Sequence, residues 1–379
     1  MLVSAGGLAS ASPAERIDGP ALIPTLAGQG PNEVRATIPI TRNRGEEPYV
    51  VLSERLKPGG GLRSGDIVRA TAELQLTTTC VTPEPRCIGV PYDYTPRMDA
   101  RVVLASTSNT TGGRNAKPIS QTKTVRCNQQ RPHRNHHCVL AFANAEKRVR
   151  NAGNLPCRPD KCFLNVVASA DHRNARSGNV VVVGADRPDG SVDGDKGRVD
   201  GFVERGNVPR AKRFEGDSKM ADKVPIEPEG EAGQKVVRSL RLDGLRKGDV
   251  LRISAKQKMR ISSVNYSVFI GTKMILAPSP KDRSSRGFAN TVVSNRGDVT
   301  ETNGFNCTQG KSAYEDPCTS EKAATVLIKR NLPEEGGEPK PLFVNIVTSG
   351  LPKLATADRN DRMKVQSGEI RVDRYRIED

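Results

Sequence analysis

Four aspartates crowd one short stretch, Asp186-Arg187-Pro188-Asp189-Gly190-Ser191-Val192-Asp193-Gly194-Asp195-Lys196-Gly197. Calcium takes several carboxylate or carbonyl oxygens from a flexible turn, and glycines between aspartates let the backbone wrap such an ion. Asp186, Asp189, Asp193 and Asp195 are therefore the candidate metal ligands, and calcium is the one cofactor the sequence suggests. The EF-hand pattern is not met, since Lys196 and Gly197 stand where the next ligand and its glycine are expected. An acidic hairpin tip using Asp-Gly turn chemistry accounts for the same residues without a metal, and is the simpler account.

The eight cysteines fall into four local pairs: Cys80 with Cys87, Cys127 with Cys138, Cys157 with Cys162, and Cys307 with Cys318. An even, locally clustered set suits disulfides and an oxidising compartment. His133, His136 and His137 lie inside the Cys127 to Cys138 loop, and imidazole beside thiolate raises zinc as an alternative. The later pair Cys307 and Cys318 has the same spacing but encloses Lys311-Ser312-Ala313-Tyr314-Glu315-Asp316, which favours an architectural role for the cysteines over a metal.

For catalysis the chain offers little. No nucleophile elbow, phosphate loop or His-Glu-x-x-His helix occurs. His172 stands beside Asp171, but the corresponding Ala357-Asp358-Arg359 keeps the carboxylate without the imidazole, so a turn role for the aspartates is the simpler reading.

Charge is the stronger signal. Lys and Arg number 59 against 43 Asp and Glu, a net charge of +16. It gathers between Arg114 and Arg176, with 13 cations against 3 acids, and between Lys235 and Arg296, with 14 against 3. Such fields attract polyanions. A nucleic-acid groove also needs stacking aromatics, and there is no Trp, few aromatics and no nucleic-acid motif. The expected partner is an anionic cell-surface polymer or polysaccharide, with a soluble cationic surface as the bland alternative.

The elements that must position these residues are written twice. Leu62-Arg63-Ser64-Gly65-Asp66-Ile67-Val68-Arg69 returns as Leu245-Arg246-Lys247-Gly248-Asp249-Val250-Leu251-Arg252. Val50-Val51-Leu52-Ser53 returns as Val236-Val237-Arg238-Ser239, and Phe163-Leu164-Asn165-Val166-Val167 as Phe343-Val344-Asn345-Ile346-Val347. Repeats of this length mark duplicated structural units. Relative to the second copy, the first carries extra residues around Cys80 and Cys87 and again around Cys157 and Cys162.

Apolar residues alternate, as in Val68, Ala70, Ala72, Leu74 and Leu76 against Arg69, Thr71, Glu73 and Gln75, which reads as a half-buried strand with one face to solvent. Strands are also expected over 102–105, 163–168, 180–183, 250–255, 326–328, 343–347 and 370–375, with many turns between them. The fold class is all-β, a tandem duplication of an antiparallel, jelly-roll-like β-sandwich in two copies. The expected organisation is an N-terminal extension over 1–29, copy one over 30–206, a linker over 207–214 and copy two over 215–379.

Ala9-Ser10-Ala11 reads as the end of a signal peptide, and no stretch approaches the roughly 20 apolar residues of a membrane-spanning helix. The sequence thus predicts a secreted or extracellular, non-catalytic structural or ligand-binding protein. A secreted hydrolase, or its accessory carbohydrate-binding module, is the alternative.

Overall fold

A computed structural model describes residues 21–25, 37–43, 48–56, 61–80, 96–126, 136–157, 161–173, 175, 179–183, 197–206, 210–226, 233–261, 268–285, 289–293, 303–307, 318–352 and 362–377. The first half runs β1 (Ala21–Thr25), β2 (Thr37–Thr41), β3 (Tyr49–Leu56), β4 (Ile67–Cys80), β5 (Arg97–Ala105), β6 (Ala116–Pro118), β7 (Lys123–Arg126), β8 (His136–Arg148), β9 (Cys162–Asp171), β10 (Asn179–Val183) and β11 (Gly197–Arg205). The second runs β12 (Arg210–Phe214), β13 (Ser218–Lys219), β14 (Lys223–Pro225), β15 (Lys235–Leu242), β16 (Val250–Ile261), β17 (Val268–Ala277), the helical turn α1 (Ala289–Val292), β18 (Asn303–Cys307), β19 (Cys318–Leu327), β20 (Glu334–Glu335), β21 (Glu338–Pro339), β22 (Leu342–Pro352) and β23 (Arg362–Tyr375).

Each half is an antiparallel sandwich. In the first, β4 is the central strand of one layer, with β8 on one side and β11 then β10 on the other; β1 closes the far edge of β11. The opposite layer is β3-β9-β5, with β6 and β7 on β5, and β2 straddles both layers by pairing β10 antiparallel and β9 parallel. The second sandwich repeats the plan: β12-β23-β16-β19 in one layer and β13-β15-β22-β17-β18 in the other. The all-β duplicated sandwich expected from the alternation is the fold observed.

The duplication reaches single hydrogen bonds. Asp66 and Asp249 each accept a 2.9 Å bond from the backbone N–H three residues upstream, at Arg63 and Arg246. Each is then gripped by an arginine beyond the last long strand, Arg205 at 3.1 Å and Arg376 at 2.7 Å. The glycine before each aspartate sits at φ 96° or 91°, a backbone region that disfavours a side chain, which explains why the Gly-Asp opener is written twice.

Likewise Asn165 and Asn345 are fully buried. Each accepts from a serine, Ser53 or Ser239, at 2.7 Å, and donates twice to the carbonyls of the loop after β5 or β17. Polar groups so deep are tolerated because every bond is made within the fold. The strand pairs β3–β9 and β15–β22 even carry a register shift at the same repeat position, between Val50 and Leu52 and between Val236 and Arg238.

Three details differ from the sequence expectation. The 207–214 segment is not a bare linker, because β12 pairs with β23 inside it. Residues 1–29 likewise include β1, which caps β11. Finally, β4 is buried on both faces: Thr71, Glu73 and Gln75 are at most 1% exposed. The reason is that the outer face of β4 is covered by the second sandwich.

Candidate functional site

Strand β19 lies across β4, β8 and β11, and β16 reaches β8, so the two sandwiches meet sheet against sheet. Charged and polar side chains hold this contact. Lys322 Nζ is 3.1 Å from Glu73 Oε1, with both side chains at most 2% exposed. The Thr71 and Thr325 hydroxyls share a hydrogen bond of 2.9 Å.

At a neighbouring point Phe202 and Tyr375 pack with ring centroids 5.0 Å apart and planes tilted by 58°, and the Arg69 guanidinium lies 5.0 Å from the Tyr375 ring centre. Arg69 Nε donates to Glu204 at 2.8 Å, and its Nη1 reaches Glu146. Burial works against the Arg69 charge, but Glu204, Tyr375 and Glu146 outweigh it and hold the group above its ordinary value. Arg252, the repeat counterpart of Arg69, donates to the Tyr375 hydroxyl at 3.2 Å and to the Ala143 carbonyl at 2.6 Å.

This contact opens into a cleft of about 210 Å³ built from both halves. The first sandwich contributes Lys123, Ala141, Ala143 and Asn144; the second contributes Arg213, Arg252, Ile253, Ser254, Ala255, Lys256, Glu321, Lys322, Glu369, Arg371 and Asp373. Six cations thus face three carboxylates. Some are paired: Arg213 with Asp373 at 2.7 Å, Arg371 with Glu369 at 2.9 Å, and Glu321 with both Lys256 at 2.9 Å and Lys123 at 3.5 Å. Lys123, Arg213, Lys256 and Arg371 remain 40–55% exposed. A water-accessible cleft with a surplus of positive charge can bind an anion.

Burial pushes the Glu321 carboxyl up, yet the hydrogen bond from Lys256 and the charges of Lys123 and Lys256 more than reverse this, leaving it below the usual carboxylate value. A depressed folded value stabilises the fold above the unfolded value near 4.5, and that stabilisation is lost as pH falls through the lower, folded value. Melting temperature should therefore fall more steeply below pH 4.5 in the parent chain than in Glu321→Gln. Equal slopes in an acid titration would show that Glu321 carries no such linkage.

The sequence candidates fall unevenly on this geometry. Lys123, Arg252 and Lys256 come from the two basic segments and meet in the cleft. Asp186, Asp189, Asp193 and Asp195 lie outside the described residues, as do Cys87, Cys127 and His133. Cys80, Cys138, Cys307, His136 and His137 are placed on strands by their backbone alone. Cys157 and Cys162 form a disulfide with Cα atoms 4.6 Å apart, bridging into the first residue of β9, and Cys318 is also disulfide-bonded.

His172 follows β9, in the layer of the first sandwich that faces away from the second, and its backbone N–H donates to Thr41 O at 2.9 Å. Burial, aided by Arg173 and opposed by Asp171, lowers its pKa. Among the described residues no three His, Cys, Asp or Glu side chains gather to hold a metal, and no helix is long and apolar enough to cross a membrane.

The contact residues Glu73, Lys322, Phe202 and Tyr375 were not singled out from sequence. A signal for them exists in the repeat. The outward row Arg69, Thr71, Glu73 and Gln75 corresponds to Arg252, Ser254, Lys256 and Lys258, so one position carries opposite charge in the two copies.

No protein-family model and no curated protein sequence matches the chain. Among solved structures, the T13 infectious bursal disease virus particle is 10% identical over 93% of this chain and 69% of that one, at a TM-score of 0.26. The VP2 subviral particle of infectious bursal disease virus is 9% identical over 96% and 73%, at 0.27. The CBM22-1-CBM22-2 tandem domain of Paenibacillus barcinonensis Xyn10C is 10% identical over 84% and 82%, at 0.19. Likenesses this distant carry no functional argument, and the fold rests on the sheets of this chain.

Proposed function

We propose that the chain is a secreted or extracellular, non-catalytic structural or ligand-binding protein whose ligand is an anionic cell-surface polymer or polysaccharide, held in the cleft between two sandwich units over about residues 30–206 and 215–379. One observation carries this reading: six cations from both units converge on one cleft against three carboxylates. Compartment enters through the Cys157–Cys162 disulfide, since such bonds persist in oxidising surroundings. The cleft lining contains no histidine or cysteine to act as base or nucleophile, so binding suits it better than turnover.

Salt screens exposed charge contacts. Retention on immobilised heparin should therefore fall as ionic strength rises, and Arg371→Glu should weaken it about tenfold. Arg241→Glu reverses an equally exposed cation on β15, in the layer of the second sandwich that faces away from the first, and is expected to change retention little. Equal losses from the two reversals would reduce the effect to net charge and sink the cleft as the site.

A further inference from the structure

Two cations from different sandwiches, Lys123 on β7 and Lys256 on β16, converge on one carboxylate, that of Glu321 on β19. The arrangement is the one a bound oxyanion would need: two ammonium groups from opposite walls of a solvent-open cleft, 3.5 Å and 2.9 Å from the shared group. Both lysines are 44% exposed and Glu321 is 31% exposed, so solvent and solutes reach all three. Arg371 and Arg213 line the same cleft and are themselves half-exposed.

We propose that Glu321 is a built-in occupant of the anion seat, and that the ligand enters by displacing it and setting a sulfate or phosphate ester between Lys123 and Lys256. This rests on the anion-binding reading above and deepens it to one ligand chemistry. The choice of ester follows from competition. Glu321 is tethered, so its effective concentration at the lysines is of millimolar order or above. A single carboxylate from a ligand offers the same bonds that Glu321 already makes and gains nothing by the exchange. A sulfate or phosphate ester brings three unesterified oxygens, enough to bridge both lysines and to reach toward Arg371 as well. Guanidinium recognises such oxygens well.

Acid should favour the exchange, because protonation of Glu321 removes the competitor while a sulfate ester stays ionised. The groups facing Glu321 are Lys123 from β7, Lys256 from β16 and the buried Lys322 on its own strand. Arg213, Arg252, Glu369, Arg371 and Asp373 complete the charged lining. The cations stay charged throughout. Glu369 and Asp373 are the remaining carboxylates, and each is held by its own arginine, so Glu321→Gln isolates the effect of the one carboxylate set between two lysines.

The test uses the full chain and two probes of matched length, dextran sulfate and polygalacturonate, titrated by calorimetry at pH 7 and pH 4. Glu321→Gln is expected to bind dextran sulfate about five- to tenfold tighter than the parent at pH 7. The parent should gain affinity at pH 4, and the variant should change much less. Lys256→Gln should lose about fivefold, a result a misfolded Glu321 variant could not imitate. Glu335→Gln, on a 79% exposed carboxylate, should match the parent. Dextran sulfate binding the parent and Glu321→Gln equally would overturn displacement and leave anion binding standing. Polygalacturonate gaining as much as dextran sulfate from Glu321→Gln would overturn the ester preference. Failure of any chain to bind either polymer would overturn this inference together with the reading beneath it.

Discussion

Replacing Lys322 with alanine should lower the unfolding free energy by about 3–5 kcal/mol, the usual cost of leaving one member of a buried ion pair uncompensated. Glu73 is 1% exposed and loses the ammonium 3.1 Å away. Little solvent can replace it, because β19 covers that face of β4. The cost is specific to breaking the pair and not to losing charge as such. Glu73→Leu combined with Lys322→Met should recover most of it, since apolar replacement of a whole buried pair is commonly neutral or stabilising. Guanidinium unfolding of the parent, the single variant and the double variant distinguishes the cases. A loss below about 1 kcal/mol in Lys322→Ala would mean that the pair is hydrated in solution and the sheet-to-sheet contact looser than described.

Gly197→Ala should be about as damaging, for a steric reason. Gly197 opens β11 at φ 102°, and a Cβ there would stand 2.0 Å from the Glu73 carbonyl oxygen and 2.8 Å from its carbonyl carbon. The obstacle is backbone in the central strand β4, which cannot swing aside as a side-chain tip could. Strain at this backbone angle costs about 1–3 kcal/mol, and the overlap adds about 1–3 kcal/mol more. Since β11 must then shift against β4, fluorescence-monitored unfolding should show a lowered midpoint. Gly216→Ala is the control, with a similar φ of 87° and open space around its Cβ. Equal effects of the two changes would assign the loss to φ alone and not to the approach of β11 to β4.

Much of this architecture is legible in the residues. The alternation in β4 and β16, the Gly-Asp opener before each and the Phe-x-Asn pattern in β9 and β22 give the strands, the duplication and two of its buried hydrogen-bond centres. What the alternation cannot give is the fate of an outward polar face. Arg69, Thr71, Glu73 and Gln75 look like residues that meet water, and a strand with one polar face is the ordinary edge of a core. Their burial depends on a partner sheet more than 240 residues away in the chain, as in Glu73 to Lys322 and Thr71 to Thr325.

The candidate site was less legible for the same reason. Basic segments were visible as composition. The convergence of Lys123, Lys256 and Glu321 on one point exists only once two sheets are stacked.

The strands β1 and β12 share a habit with a mechanical meaning. Each belongs to the segment leading into its sandwich, and each lies along the closing strand of that sandwich, β11 or β23. Because β11 is laddered on both sides, to β1 and β4, and leads to β12 after four residues, a pull through the joint acts along the strands. Hydrogen bonds in such a ladder bear load together instead of parting one by one. A chain joined in this way resists stretching at the connection between its units, where a plain flexible linker would simply extend.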